Sequence, residues 1–363
     1  MSLKIITFVC LLLVLGIVYF LNLPLFGKLP NAHKDPRLLK SKNYKDGTFF
    51  NQENTPALTE GSGYLEVSKN FFFNDNPNKI PNHIPAMPVD LKNLPEENLL
   101  IWFGHSSYLL KIDGLIYVVD PVFSGSASPI PGNVKAFEGT QIYNLTDLKK
   151  IDFLIITHDH YDHLDYQTVK EIKPLVNKVI CGLGVDAHFL HWGYAKEDLI
   201  VLDWEESSML SQDAKITATT SRHFSGRTFK RNSALWCSYV LETAGLKLYI
   251  GGDSGYGKHF AAIGQKYGPF DWAILENGQY NKDWKYIHMM PEEVLMAQQD
   301  LGAKKLVPVH SGKFALATHD WNEPLLKITE LNEKAPIKQQ LMTPKLGELV
   351  YLNKDQVFEQ WYK

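Results

Sequence analysis

Thr157-His158-Asp159-His160-Tyr161-Asp162-His163-Leu164-Asp165 places three histidines and two aspartates within six consecutive positions, 158 to 163. The run before it, Ile151 to Ile156, is short, apolar and rich in branched and aromatic side chains, so it predicts a buried strand that delivers the cluster at its C-terminal end. Beyond it, Leu164, Thr168, Val169 and Ile172 recur at helical spacing until Pro174. The cluster is therefore expected on a strand-to-helix loop, where scaffolds hold their chemistry. In extended chain His158 and His160 point the same way and can reach one metal ion, while Asp162 and His163, after the turn, can serve a second. A solvated polar loop is the bland alternative, and the density of ligand-type residues argues against it.

The bounds are those of a globular chain. At 363 residues with 45% hydrophobic content there is enough apolar material for one large α/β domain with an extension. A net charge of −3 gives no basic field of the kind nucleic acid requires, so no nucleic-acid partner is expected. Cys10, Cys181 and Cys237 form neither a disulfide framework nor a zinc-ligand pair and read as small hydrophobes. Ile5 to Phe26 is almost wholly apolar between Lys4 and Lys28 and meets the roughly 20-residue requirement of a membrane span. It lacks an evident small-residue cleavage site, so it is read as an uncleaved anchor rather than a signal peptide, with the side of the membrane left open.

The chain divides into an anchor at 1–27, an arm at 28–97 and a catalytic domain at 98–363. The arm is rich in Asn, Pro and Lys and is expected to drape over the domain, with Phe71-Phe72-Phe73 packed on it in preference to dipping into lipid. From Leu99 strands dominate. Leu99 to Phe103 leads to a hairpin of Tyr108 to Ile112 and Leu115 to Val119 about the turn Asp113-Gly114. Further strands are expected through to Glu348–Leu352, and helices at Asp186–Trp192, Gly257–Tyr267, Pro291–Leu301 and Trp321–Leu331. An antiparallel start followed by strands alternating with helices predicts a layered α/β protein with two sheets between helices.

Three more polar residues stand just past apolar strand candidates: His223 in Ser221-Arg222-His223, Asp253 in Gly252-Asp253-Ser254-Gly255, and His310 in Val309-His310-Ser311-Gly312. Taken singly each reads as a turn residue. Together with the His-x-His-x-Asp-His string they resemble the metallo-β-lactamase-fold hydrolases, whose fold is a four-layer αβ/βα sandwich. The likeness is greatest to N-acyl-phosphatidylethanolamine-hydrolysing phospholipase D and its bacterial relatives, through Gly104-His105-Ser106, Val119-Asp120-Pro121, Gly252-Asp253-Ser254-Gly255-Tyr256 and His288-Met289-Met290-Pro291-Glu292-Glu293. The ascorbate-6-phosphate lactonases are more distant.

What the resemblance implies is specific. His158, His160 and His223 hold one metal, Asp162, His163 and His310 the other, and Asp253 bridges. Asp162, Asp253 and His288 carry the chemistry, and His105, Gln279, Tyr280 and Met289 bind substrate. Seven ligands without a thiolate suit two zinc ions and would tolerate manganese or iron. A water shared by two close metals loses its proton near neutral pH and becomes a nucleophile. Asp159 and Asp165 are left as residues that orient a ligand histidine. The expected activity is a phospholipase D-type phosphodiesterase acting on N-acylated phosphatidylethanolamine or a related phospholipid, with a small soluble lactone, ester or phosphodiester as the alternative substrate. The segment Leu275-Glu276-Asn277-Gly278-Gln279-Tyr280 is more polar than the family's usual sequence there, and Ser311 stands where that branch often has Trp.

Overall fold

The Asp113-Gly114 turn closes the hairpin it predicts, both residues taking the positive φ that such a two-residue loop demands. A computed structural model describes residues 3–33, 35–73, 75–130 and 132–363. Two seven-stranded sheets face each other. The first runs Leu349–Tyr351, Leu99–Trp102, Tyr108–Ile112, Leu115–Val119, Ile151–Ile155, Val176–Gly182, Leu199–Leu202, antiparallel up to Leu115–Val119 and parallel beyond it. The second runs Gln340–Leu341, Ala303–Val309, Phe270–Glu276, Lys247–Ile250, Ser238–Glu242, Lys215–Thr219, Ser207–Met209, with its parallel pairs at the other end of the list.

Leu99–Trp102 and Tyr108–Ile112 are buried at every position, and the one charged residue among them, Lys111, is satisfied by the Pro95 carbonyl, to which its Nζ donates at 2.6 Å. Leu110, Tyr117 and Leu154 of the first sheet share one core with Ile216, Tyr239 and Ile250 of the second. A separate core forms where helices His259–Tyr267, Pro291–Leu301 and Glu323–Lys334 cover the second sheet, through Tyr249, Phe260, Val294, Leu301 and Ile328. Helices Tyr166–Ile172 and Asp186–His191 follow strands of the first sheet. The layered α/β sandwich is thus present.

The differences from expectation are local. The helix expected at Trp321–Leu331 runs Glu323–Lys334, because Pro324 fits only its first turn. The short strands Ser207–Met209 and Gln340–Leu341 complete sheet edges and are too short to carry a pattern of their own.

The N-terminal helix spans Leu3–Leu21, and its segment Lys4–Leu21, of mean hydropathy 2.6, has none of its residues buried in the protein. The apolar run does not continue as a span to Phe26: Pro24–Phe26 forms a separate turn whose Phe26 is buried on the domain. Leu38, Phe49 and Ile84 of the arm are buried in the main core. The aromatic cluster of the arm departs from expectation. Phe73 is 76% exposed at the end of helix Tyr64–Phe72, and the side chains of Phe71 and Phe72 lie outside the described residues.

Candidate metal centre

Strand Ile151–Ile155 ends in a loop that Asp120, at the end of the neighbouring strand, holds in shape. Asp120 accepts the Thr157 N–H at 2.8 Å and the Thr157 hydroxyl at 2.6 Å, and its Oδ2 lies 2.8 Å from His163 Nδ1. Within that loop His158 Nε2 and His160 Nδ1 are 2.9 Å apart, and His223 Nε2 is 3.3 Å from the same His160 nitrogen. Three imidazole nitrogens thus converge on one point. Two of the opposite nitrogens are partnered: Thr157 Oγ1 is 3.0 Å from His158 Nδ1, and the Ile287 carbonyl accepts from His223 Nδ1 at 2.9 Å. Such outer partners fix ring orientation and tautomer.

Asp162, His163 and His310 form the second group, and Asp253 lies between the two. Its Oδ2 is 3.9, 3.8 and 3.2 Å from Nε2 of His158, His223 and His163, and its Oδ1 is 3.3 Å from His310 Nδ1. Ser106 Oγ engages His310 Nδ1 at 2.9 Å. His163 Nε2, His310 Nε2 and Asp253 Oδ1 are buried without a hydrogen-bond partner among the described residues. Orphaned atoms on three neighbouring ligand-type residues are what a cation resolves, since unpaired buried polar atoms otherwise cost about 1–3 kcal/mol each. Gly252 makes the meeting possible: a Cβ there would stand 2.4 Å from the Cys237 carbonyl and 2.9 Å from Thr157. Asp120, His105 and His310 all adopt positive φ, an uncommon conformation for non-glycine residues that concentrates at functional sites.

The electrostatics agree with the geometry. Burial depresses the pKa values of His158, His223 and His310 well below the ordinary histidine value and His160 to about 4, so these rings stay neutral and keep lone pairs for a metal. Burial also pushes His163 down, but the charges of Asp253, Asp162 and Asp120 override it and hold it well above. Burial raises Asp253 to about 6, against the pull of His163. The carboxylates therefore demand positive charge at the point where His163 Nε2 and Asp253 meet. The residues present fit a pair of metal ions: His158, His160 and His223 for one, Asp162, His163 and His310 for the other, with Asp253 between.

A cavity of about 290 Å³ opens over this cluster, lined by His160, Asp162, His223, Asp253, His288 and His310 together with Ala57, Leu58, Trp284, Ile287 and Leu316. A larger one of about 470 Å³, beside Thr329 and Tyr362, contains none of the ligand residues. His288 stands on the wall as expected, its Nδ1 3.1 Å from Glu276 Oε2. Gln279 also lines the cavity, but its amide is committed: it donates to the His310 and Phe314 carbonyls and accepts from the Leu316 and Ala317 N–H groups.

The other three expected substrate contacts are placed elsewhere. His105 is fully buried behind Asp162, with its Nε2 2.9 Å from Asp162 Oδ2, so it orients a ligand instead of facing the cavity. Tyr280 turns its hydroxyl to Glu323 at 3.0 Å. Met289 packs in the second core because helix Pro291–Leu301 turns it inward. Asp159 and Asp165 do not orient a ligand histidine either. Asp159 accepts from the Gly226 N–H and contacts His188, while Asp165 caps helix Tyr166–Ile172.

Asp120 and Glu276 were missed as site residues, yet each follows an apolar strand as His223, Asp253 and His310 do, so the same rule would have found them. Glu276 is buried, its pKa raised well above the ordinary carboxylate value by that burial, and it accepts the Met289 N–H at 2.6 Å while facing His288. Asp120→Asn is expected to weaken metal binding about 10–100-fold, the usual cost of losing an outer-sphere partner of a ligand histidine. Metal titration of the apoprotein checks this, and unchanged affinity would remove Asp120 from the centre.

Comparison with known proteins agrees with this geometry. Residues 117–311 match the family described as Beta-lactamase superfamily domain. An uncharacterized protein of Mycobacterium tuberculosis is 36% identical over 297 residues, covering 80% of this chain and 79% of its own. N-acyl-phosphatidylethanolamine-hydrolyzing phospholipase D 1 of Caenorhabditis elegans is 30% identical over 248 residues, covering 63% and 68%. Among solved structures, the metallo hydrolase Igni18 of Ignicoccus hospitalis superimposes with a TM-score of 0.53 at 21% identity, over 70% of this chain and 97% of its own, a likeness of fold.

Proposed function

The chain belongs to the beta-lactamase superfamily as a metal-dependent hydrolase, and from that premise we propose that it is a phospholipase D-type phosphodiesterase acting on N-acylated phosphatidylethanolamine or a related phospholipid. The observation that carries the proposal is a cavity with the ligand cluster for its floor and an apolar wall of Ala57, Leu58, Trp284, Ile287 and Leu316. The exposed Arg231 lies at the same cavity, with its guanidinium over the Phe224 ring at 4.8 Å. A phosphodiester with an acyl chain matches that pairing of a cationic edge with an apolar wall. The relatives named as phospholipases and the apolar N-terminal helix support the same reading.

Two divalent ions, when bound, supply Lewis acidity and an acidified water. The protein's own groups do the rest. His158, His160, His163, His223 and His310 stay neutral or carboxylate-paired, Asp162 is steadied by His105, and Asp253 joins the two halves of the site. His288, with Nδ1 held by Glu276, lines the cavity and is the group we assign to the oxygen of the departing alcohol. Net reaction adds water across the P–O bond to the head-group alcohol and yields a phosphatidic acid.

The test is a comparison of the metal-loaded protein on detergent-dispersed N-acyl phosphatidylethanolamine, unmodified phosphatidylethanolamine, and a set of soluble esters, lactones and phosphodiesters. We expect kcat/KM to favour the N-acylated lipid, with phosphatidic acid as product. Turnover confined to soluble substrates would establish the alternative. His288→Ala should lower kcat about 10²–10⁴-fold, the range for loss of a proton-transfer group. Metal content should stay intact, and loss of metal would refute the assignment.

A further inference from the structure

We infer that the mouth of the cavity rests on the lipid surface, with the loop 227–231 and the helix Tyr64–Phe72 as its contacts. The inference depends on reading Leu3–Leu21 as a bilayer-spanning anchor, and it adds which face of the domain that anchor holds against lipid. At 1.5 Å per residue the 19-residue helix is about 28 Å long, close to the roughly 30 Å of a hydrocarbon core, so Leu21 ends near the boundary. The chain after it is fastened to the domain almost at once. Arg227 Nη2 donates to the Leu25 carbonyl at 2.6 Å, Trp192 Nε1 to the Pro24 carbonyl at 2.7 Å, and the Lys28 N–H to His188 Nδ1 at 3.0 Å. Phe26 sits edge-on between Phe20 of the anchor and Tyr161 of the metal loop. Four residues from Leu21 to Leu25 span at most about 14 Å. Arg227 therefore cannot stand far from the bilayer.

Two residues beyond Arg227, Phe229 is 90% exposed and is followed by the exposed cations Lys230 and Arg231. An aromatic ring beside basic side chains is the composition that settles at an anionic membrane interface. Arg231 lines the cavity, and Tyr64 lines the same cavity. Helix Tyr64–Phe72 begins there and exposes Tyr64 and Leu65, the latter by 89%, with Phe73 following it. A nine-residue helix with none of its described side chains buried is marginal in water and gains from a partner. The short tether selects the bilayer as that partner. Substrate can then pass from the lipid surface into the cavity without crossing water.

The experiment uses the full chain with Cys10→Ala, since Cys181 and Cys237 are buried. Single cysteines F229C, L65C and V357C carry an environment-sensitive fluorophore in vesicles of phosphatidylcholine with phosphatidylglycerol, some lipids bearing a nitroxide quencher near the head group. Val357 is 99% exposed and lines the separate cavity beside Thr329 and Tyr362. We expect quenching at positions 229 and 65 to exceed that at 357 by several-fold. Equal quenching at all three, in protein that resists a carbonate wash, would overturn the inference while sparing the anchor. Release of the protein by the wash would remove the anchor and the inference with it. Crosslinking between two F229C chains, with no lipid quenching, would assign the face to a second copy and also overturn it. None of these readouts depends on hydrolysis, so the proposed reaction can fail or stand separately.

Discussion

Asp253→Ala is expected to abolish hydrolysis and to lower bound metal from two equivalents to one or fewer. Among the described residues Asp253 is the one carboxylate within 4 Å of candidate ligand nitrogens from both groups: His158 and His223 on one side, His163 and His310 on the other. Its removal leaves each ion a ligand short and frees His163 from the largest of the charges that hold its proton. A loss of about 4 kcal/mol or more of transition-state stabilisation, or about 10³-fold in kcat/KM, follows from losing both ions' correct placement. Elemental analysis and steady-state rates on the same preparation check it. Two retained equivalents with full turnover would show that the groups are independent.

Arg227→Met should be nearly as severe although Arg227 touches no proposed ligand. Its guanidinium donates to the Asp159 and Leu164 carbonyls at either end of the metal loop and to Leu25 at the anchor exit, with its face over the Tyr161 ring at 4.1 Å. Methionine fills much of the volume and leaves three inward carbonyls without a donor. The expected loss is about 3–5 kcal/mol of stability, with weaker metal binding because the loop loses its brace. Arg227→Lys should recover only part of this, since one ammonium cannot reproduce the fork. Thermal denaturation of the metal-loaded and chelator-treated forms measures both effects. A variant with unchanged midpoint and metal affinity would show that the loop is held by the sheet alone.

Reading the sequence recovered what local pattern encodes. The strand before the histidine cluster, the Asp-Gly hairpin and helix Pro291–Leu301 all rest on periodicity or turn chemistry within a dozen residues, and they stand where expected. The seven candidate positions, assigned through the resemblance to the metallo-β-lactamase-fold hydrolases, are brought together at the ends of two sheets. His105, Tyr280 and Met289 were not legible as what they are. Tyr280 and Met289 each adjoin a cavity residue in sequence and His105 lies in a motif far from the ligands, so only the packed structure decides whether a side chain turns to the cavity, to Asp162, to Glu323 or into a core. Phe73 departs for a related reason: packing on the domain was preferred to contact with lipid, and sequence alone does not say which partner a surface aromatic meets. The end of the N-terminal helix at Leu21 and the docking of Phe26 on the domain were hidden because both segments are apolar, and hydropathy does not mark where an apolar run stops being a free helix and packs on protein.

The seam closed by Gly252 and Thr157 has a consequence for how the chain matures. One half of the molecule, which lacks only its edge strand Leu349–Tyr351 once Leu202 is made, carries His158, His160, Asp162 and His163. The other supplies His223, Asp253 and His310 and closes only when Ala303–Val309 is in place. During synthesis the first four ligands emerge well over a hundred residues before His310. A nascent chain can therefore hold an ion only loosely until its second half docks, and tight uptake becomes the closing event of assembly. Ions held by ligands from both halves would link them, so that metal availability in the cell would set the lifetime of the folded protein.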